Sequence, residues 1–202
     1  GVEVVAAEKA GLLGARSRGA IVALKKKGIK SLNDLKGKTM VFGPMLAPTG
    51  YMSQIDLLIK GGIDPEKDLA FYSIPSGSFK HEKVIYGVFF DKYDAGAFPM
   101  LDFERMADSG KIDRNDFTVI AEGEAVPYCN FGITQKVDDS FGRKFKQALL
   151  DLKKDDTVEI DGEVVKVFDR AQIDGYEDIK DRDFDLLREM AKRTNMPPYQ
   201  KY

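Results

Sequence analysis

The sequence predicts an α/β fold in which a mostly parallel sheet is covered by helices on both faces. Short apolar runs, typical of buried strands, alternate along the chain with segments whose apolar residues recur at helical spacing. Glycine, proline and helix-capping residues stand between them, as expected at turns. With 202 residues, of which 43% are hydrophobic, the chain is long enough for one large domain or two small ones.

Strands are predicted where apolar or β-branched residues form a short run bounded by turn residues. Residues 20–24 (AIVAL) read as a fully buried strand, and Gly43-Pro44 ends the next one. Asp161-Gly162 between two alternating runs predicts a β-hairpin near 157–167. The other predicted strands are 39–42, 69–74, 95–98, 117–121 and 131–134.

Helices are predicted where apolar residues recur every three to four positions. Val84, Ile85, Val88 and Phe89 form such a stripe in the segment that begins at His81. Ser31 and Gly37 are suited to cap a single helical turn at its two ends. The predicted helical segments are 31–37, 48–60, 81–91, 101–109, 141–152 and 184–191.

Composition excludes several classes of function. The 31 basic and 33 acidic residues are interspersed and give a formal charge of -2, so no nucleic-acid surface is indicated. One cysteine and one histidine exclude a zinc site built from several thiolates, and we expect neither a metal nor a cofactor. No apolar run approaches the roughly 20 residues that a membrane-spanning helix needs.

Two strand-to-helix turns are candidate binding loops, because parallel sheets bind ligands beyond the carboxyl ends of their strands. The first is 43–50, where Pro48 suits the first helical turn and Gly50 permits close approach of a guest. Free amides at that helix start, with the Thr49 hydroxyl, form a natural cradle for an anion. The alternative is an ordinary turn with no ligand.

The second candidate loop, 76–81, offers two hydroxyls, a lysine and the sole histidine. Histidine in general has an unperturbed pKa near ~6.5, so a bound anion could hold an imidazole at this position protonated. Alternatively, Ser78 caps the helix, Lys80 faces water and His81 is an ordinary polar residue at a helix end. Because both loops follow strands of one sheet, we expect them to converge on a single oxyanion site.

Residues 17–100 resemble the solute-binding proteins of phosphonate, phosphite and phosphate ABC importers, the phosphonate-binding branch of the type II periplasmic binding proteins. The resemblance rests on 28–38 (GIKSLNDLKGK), on 47–51 (APTGY), and on His81 followed by a helix and 94–97 (DAGA). The first motif is common to many binding proteins, whereas the spacing from the histidine to DAGA is more specific. A weaker similarity continues to the end of the chain.

This resemblance implies a type II periplasmic-binding-protein-like fold with two lobes that close on a ligand. Residues 1–25 are then a remnant of lobe one with a hinge strand, and 26–130 form lobe two. Residues 131–202 supply the second hinge strand and the C-terminal part of lobe one, with the hairpin as an insertion. By position, Ala47, Pro48, Thr49 and His81 bind phosphoryl oxygens. The further ligand-binding candidates are Gly50, Tyr51, Ser78 and Tyr128.

The chain departs from the family pattern in three ways. Ala47 and Pro48 stand where hydroxyl donors are usual, which makes a less charged or more apolar ligand plausible beside Met45 and Leu46. The chain starts after most of lobe one, so we expect the signal and N-terminal part not to be present in it. A partial lobe should expose apolar helix faces at 141–152 and 184–191, which favours a homodimer. The hairpin insertion is the third departure.

The function implied is the periplasmic solute-binding component of an ABC importer for a small oxyanion, with the ABC permease as partner. The alternative is a sensory or assembly domain that kept this fold and changed or lost the ligand. An enzyme is not expected. Cys129 and His81 could pair as nucleophile and base, but Cys129 lacks the helix N-terminus or strained elbow that activates such a residue.

Overall fold

A computed structural model describes residues 1–77 and 80–201. The strands within them are β1 (Val2–Lys9), β2 (Arg16–Ser17), β3 (Gly19–Leu24), β4 (Thr39–Phe42), β5 (Phe71–Ser73), β6 (Ala95–Pro99), β7 (Phe117–Glu122), β8 (Val126–Pro127), β9 (Asn130–Thr134), β10 (Thr157–Ile160), β11 (Glu163–Lys166) and β12 (Gly175–Glu177). The α-helices are α1 (Ser53–Lys60), α2 (Pro65–Asp68), α3 (His81–Phe89), α4 (Met100–Asp108), α5 (Asp139–Asp151), α6 (Val167–Ala171) and α7 (Asp185–Arg193).

The chain divides into two compact units. The first unit contains Gly1–Ser17 and Val126–Asp185, and the second contains Arg18–Ala125 and the segment from Leu186 onward. The divisions between these units therefore lie after Ser17, after Ala125 and after Asp185. The lobes expected from the sequence, with boundaries after residues 25 and 130, stay a prediction.

The sheet of the second unit is mostly parallel, as predicted. Its strand order is β5-β4-β6-β3-β7. β4 runs parallel to both β5 and β6, whereas β3 is antiparallel to both β6 and β7. β5, β4, β6 and β7 therefore point the same way, and β3 alone runs against them. Consequently the carboxyl ends of β4, β5 and β6 lie at one edge of the sheet.

Helix α3 packs closely on the sheet at a glycine. A Cβ on Gly96 of β6 would lie 2.6 Å from Val88 Cγ2, so only glycine allows this approach. Val84, Ile85 and Val88 are fully buried, which confirms the predicted apolar stripe. They join a core that includes Phe98, Phe103, Met106 and Phe117.

Asp94 fixes the start of β6 against the start of β4. Its carboxylate accepts hydrogen bonds from the Thr39 amide and hydroxyl, both at 2.9 Å, and from Lys27 Nζ at 3.0 Å. Burial opposes ionisation, but the bonds from Thr39 and Lys27 outweigh it and lower the pKa of the Asp94 carboxyl. This aspartate therefore helps to fix the register of the two parallel strands that lead to the candidate site.

A buried ion pair ties α7 to α1 within the second unit. The Asp56 side chain is only 3% exposed, and Arg193 donates to it from Nε at 2.7 Å and from Nη2 at 3.2 Å. Lys60 Nζ adds a contact at 2.8 Å. Burial works against ionisation of Asp56, but Arg193 and Lys60 outweigh it and lower the pKa of this carboxyl.

The first unit is built on an antiparallel sheet, β12-β1-β9, which differs from the predicted parallel arrangement. The predicted hairpin is confirmed: β10 pairs with β11 in register, and Asp161 (φ 54°) and Gly162 (φ 83°) take the left-handed backbone of a two-residue turn.

Phe141 on α5 is 59% exposed, while the expected dimer stays a prediction.

No helix in the described part of the chain is both long and apolar enough to cross a lipid bilayer.

Replacing Arg193 with alanine should destabilise the protein, because it leaves the Asp56 carboxylate buried with one cation fewer. The expected loss in the free energy of unfolding is about 1.5–3 kcal/mol, measured by urea denaturation. Arg114→Ala is the matched control, since Arg114 and Glu104 form an exposed pair at 3.6 Å that should be worth less than about 1 kcal/mol. Equal losses for both variants would contradict a special role for the buried pair.

Replacing Asp94 with asparagine should remove stability in a pH-dependent way. The folded-state pKa of Asp94 lies below its ordinary 3.8, so its contribution is present above that pH and is lost as the pH falls through the folded value. We expect a loss of about 1–2 kcal/mol at neutral pH. The gap from wild type should close on acidification, whereas Asp155→Asn, at a side chain 89% exposed, should show no such gap.

Candidate ligand-binding site

The turn between β4 and α1 folds back on itself through a glycine pair. The Gly43 amide donates to the Gly50 carbonyl at 2.9 Å, which closes the loop. Pro48–Met52 then forms a wide π-type turn that continues into α1, so the predicted helix from Pro48 to Lys60 is present with a wider first turn. Pro48 begins it because its fixed φ suits a first helical position and its missing N–H would have no partner there.

Backbone amides at this helix start are available for a guest. Among the described residues, the N–H groups of Thr49 and Gly50 donate to no other group, and the same holds for Met45 and Leu46 in the preceding bend. Unpaired amides in a first helical turn carry the positive end of the helix dipole. The turn therefore has the donors of an anion cradle, although Pro48 contributes none.

The side-chain amide of Gln54 supports this turn through hydrogen bonds. Its side chain is fully buried, and Nε2 lies 2.7 Å from the Thr49 carbonyl oxygen. The same nitrogen lies 3.2 Å from the carbonyl oxygens of Ala20 on β3 and Phe98 on β6. One amide group thus ties the cradle to two neighbouring strands and limits its movement.

His81 begins α3 and lays its imidazole against the turn. A Cβ on Gly50 would lie 2.6 Å from His81 Nε2, and one on Gly43 would lie 3.1 Å from His81 Cδ2. The ring therefore packs directly on glycine backbone. Its side chain is 11% exposed, and Nδ1 lies 2.8 Å from Oδ2 of Asp102. Nε2 is buried without a hydrogen-bond partner among the described residues.

Asp102 comes from α4, which begins where β6 ends. Strand β6 closes with Pro99, and three residues later the carboxylate faces the imidazole. The site accordingly combines the carboxyl end of β4, through its turn, with the carboxyl end of β6, through α4. Sequence reasoning missed both Asp102 and Gln54.

The structure brings most of the predicted site residues together. Ala47, Pro48, Thr49, Gly50 and Tyr51 form the turn against which His81 packs. Their convergence in space is confirmed, while their role as ligand contacts stays a prediction. Ser78 lies outside the described residues.

Two predicted aromatic contacts have other partners in the structure. Tyr51 is 7% exposed and packs on Phe42 at a ring-centroid distance of 5.3 Å. Burial, together with the Glu66 carboxylate, raises the pKa of its phenol. Tyr128 belongs to the first unit, where its amide donates to the Ala15 carbonyl at 3.1 Å.

A profile of the family described as "ABC transporter, phosphonate, periplasmic substrate-binding protein" matches residues 1–184. The chain belongs to this family. The predicted family resemblance is therefore confirmed, and the family is one of periplasmic binding proteins rather than enzymes.

Solved structures share the fold. A binding protein component of an ABC phosphonate transporter from Pseudomonas aeruginosa matches with a TM-score of 0.73 and 18% identity, over 96% of this chain and 63% of that one. PhnD1 from Prochlorococcus marinus, in complex with methylphosphonate, matches with 0.78 and 15%, over 96% and 71%. A protein from Xanthomonas citri bound to ATP matches with 0.70 and 15%, over 96% and 71%.

These likenesses confirm the predicted α/β fold of the type II periplasmic binding proteins. At such low identity they show the fold alone. The chain spans less than two thirds of the length of the Pseudomonas protein.

A separate cavity of about 500 Å³ opens elsewhere in the second unit and includes neither His81 nor the 43–52 turn. Its charged lining residues pair with each other: Arg18 with Glu122 at 3.8 Å, and Lys60 with Asp56 at 2.8 Å. An oxyanion entering it would meet these carboxylates. This cavity is therefore a weaker oxyanion site than the glycine turn.

Gly50→Ala should displace the imidazole, because the new Cβ would lie 2.6 Å from His81 Nε2. We expect a loss of about 1–3 kcal/mol in the free energy of unfolding from overpacking. The ring resonances of His81 should also shift, and they are assigned without ambiguity because the chain has one histidine.

Gly87→Ala, on α3, is the control for this substitution. A Cβ there would lie 3.3 Å from a Tyr93 ring carbon, a contact that a small shift relieves. Alanine in a helix interior is more favourable than glycine by about 1 kcal/mol, which should offset the energetic cost of that shift. Unchanged His81 resonances in Gly50→Ala would show that the ring does not rest on this glycine.

Proposed function

We propose that this protein is the periplasmic solute-binding component of an ABC importer and that it binds a phosphonate. The observation that carries the proposal is His81 Nε2, buried without a described partner beside the amides of Thr49 and Gly50, which donate to no described group. A buried polar atom without a hydrogen bond is unfavourable, and a bound oxyanion would supply one. The ABC permease is the partner implied by the family.

The composition of the turn favours a phosphonate with a small apolar substituent. Ala47 and Pro48 offer no side-chain donor, so the phosphoryl oxygens depend on backbone amides, Thr49 and His81. Met45 and Leu46 are 51% and 69% exposed at the tip of the same turn, where they can contact an alkyl group. Membership of the phosphonate-binding family and the methylphosphonate complex of the Prochlorococcus protein support this choice.

A sensory or assembly domain is the second candidate. The missing hydroxyls at Ala47 and Pro48 favour it, since they remove donors that the family pattern places there. Such a domain would keep the packing of His81 on the turn but would bind none of the oxyanions with useful affinity. Neighbouring genes for a permease and an ATPase would support transport, whereas a neighbouring kinase or chemoreceptor gene would support sensing.

Enzymatic alternatives gain no support. The backbone of Cys129 is left-handed (φ 49°), which differs from the unstrained position expected from the sequence, but the residue does not lie at a helix N-terminus. Within the described residues, no group of histidine, cysteine and carboxylate side chains is arranged to hold a metal ion. Binding without chemistry remains the function that the site supports best.

Methylphosphonate should raise the thermal stability of the protein. At about 100 times its dissociation constant, a ligand that binds only the folded state adds about 2.7 kcal/mol. We expect His81→Ala to weaken binding by about 10- to 100-fold, the loss of one charge-assisted hydrogen bond. Thermal melting with each ligand measures the stabilisation. Calorimetric titration of methylphosphonate, phosphite and phosphate into both proteins measures the affinities.

Lys67→Ala is the control, because the Lys67 side chain is 81% exposed. It should bind methylphosphonate as tightly as the wild type. If none of the three anions shifts melting of the wild type, the transport proposal fails and the sensory alternative is favoured.

A further inference from the structure

The pairing of His81 with Asp102 has a consequence for the proton on the ring. Nδ1 lies 2.8 Å from Asp102 Oδ2, and a carboxylate in that position accepts a hydrogen bond. Where Asp102 accepts this hydrogen bond, Nδ1 carries a proton in both charge states of the ring. In the neutral ring the proton is then absent from Nε2, the atom that packs on Gly50.

The geometry points to Asp102 as a positioning residue of the site, one that holds His81 so that an oxyanion is bound together with one shared proton. This inference rests on the proposed function for its ligand. A phosphoryl oxygen at Nε2 needs a proton between the two atoms, because a lone pair facing an oxyanion repels it. That proton arrives on the ligand, as P–OH, or on the ring, as N–H.

The other charged groups near His81 either pair with other residues or point away from the imidazole. The turn 43–52 carries no charged side chain, and its one titratable group is Tyr51, whose pKa is raised by burial. Strand β6, which packs against α3, has no titratable residue. On α3, the neighbouring Glu82 is bonded to Lys111 at 2.6 Å.

Two basic residues complete the surroundings of His81 on its own helix. Lys80 precedes it and is exposed. Lys83 Nζ lies 3.0 Å from the position of a Cβ on Gly77, which directs it toward the preceding turn. On α4, Glu104 pairs with Arg114, and Arg105 has partners of its own. The carboxylate of Asp102 is thus the charge in hydrogen-bond contact with the imidazole.

The first test needs no ligand. Nitrogen-15 NMR of the single histidine reports which ring nitrogen carries the proton. With the ring neutral, the wild type should show the Nδ1–H tautomer. The Nε2–H tautomer in the wild type would overturn the proposal directly. Asp102→Asn should give a mixed or reversed tautomer, because an amide can donate to Nδ1 as well as accept from it.

The second test is calorimetric titration of methylphosphonate across pH in two buffers of different ionisation enthalpy. At an alkaline pH at which the first test finds the ring neutral, binding should take up close to one proton. Affinity should then fall about tenfold for each further pH unit. Binding that is independent of pH, with no proton uptake, would overturn the shared proton.

Matched variants separate positioning from folding. Asp102→Asn should bind about tenfold or more weakly, and its pH profile should move to lower pH because the imidazolium has lost a carboxylate partner. Asp102→Glu should restore part of both. Asp108→Asn, an exposed aspartate on the same helix, should match the wild type. An unshifted pH profile in folded Asp102→Asn would assign Asp102 a structural role only.

The two proposals fail in different ways. If methylphosphonate binds no variant while the ligand-free ring shows the Nδ1–H tautomer, the proposed ligand is wrong and the positioning by Asp102 stands. If methylphosphonate binds and the ring is the Nε2–H tautomer, the function stands and the inference about Asp102 is wrong.

Discussion

The packing of one imidazole on bare glycine backbone is the constraint on which the candidate site depends. His81 can lie on the turn only because Gly43 and Gly50 have no Cβ, and the ring keeps its orientation because Asp102 holds Nδ1. This single side chain connects the starts of α1, α3 and α4, which follow three neighbouring strands.

Sequence patterns predicted the two turns and the strands before them, because strand ends and helix starts leave strong local signals. Gly43-Pro44 and Pro48-Thr49-Gly50 mark the first turn through backbone chemistry that depends on near neighbours only. Asp102 and Gln54 left no such signal, since their roles arise from contacts with distant residues. The position of Asp102 just beyond β6 was the available clue, because ligand sites gather beyond the carboxyl ends of such strands.

The division of the chain was harder to predict for a related reason. Residues 20–24 read equally well as a hinge strand or as a central strand, since both are continuous apolar runs. Pairing decides between them: β3 lies between β6 and β7, and this places it in the second unit. The C-terminal segment joins the same unit through Arg193 and Asp56, a long-range ion pair that no local pattern announces.

The fold does not choose the ligand, because its neighbours include one protein bound to methylphosphonate and another bound to ATP. At the proposed site, Ala47 and Pro48 offer no side-chain donor, so selection would rest on backbone amides, the Thr49 hydroxyl and one ring nitrogen. Amides cannot change their protonation, so they attract any oxyanion alike. The pair formed by His81 and Asp102 is the part of this site that can respond to the proton a ligand carries. Discrimination among similar oxyanions should therefore depend on that pair more than on the cradle itself.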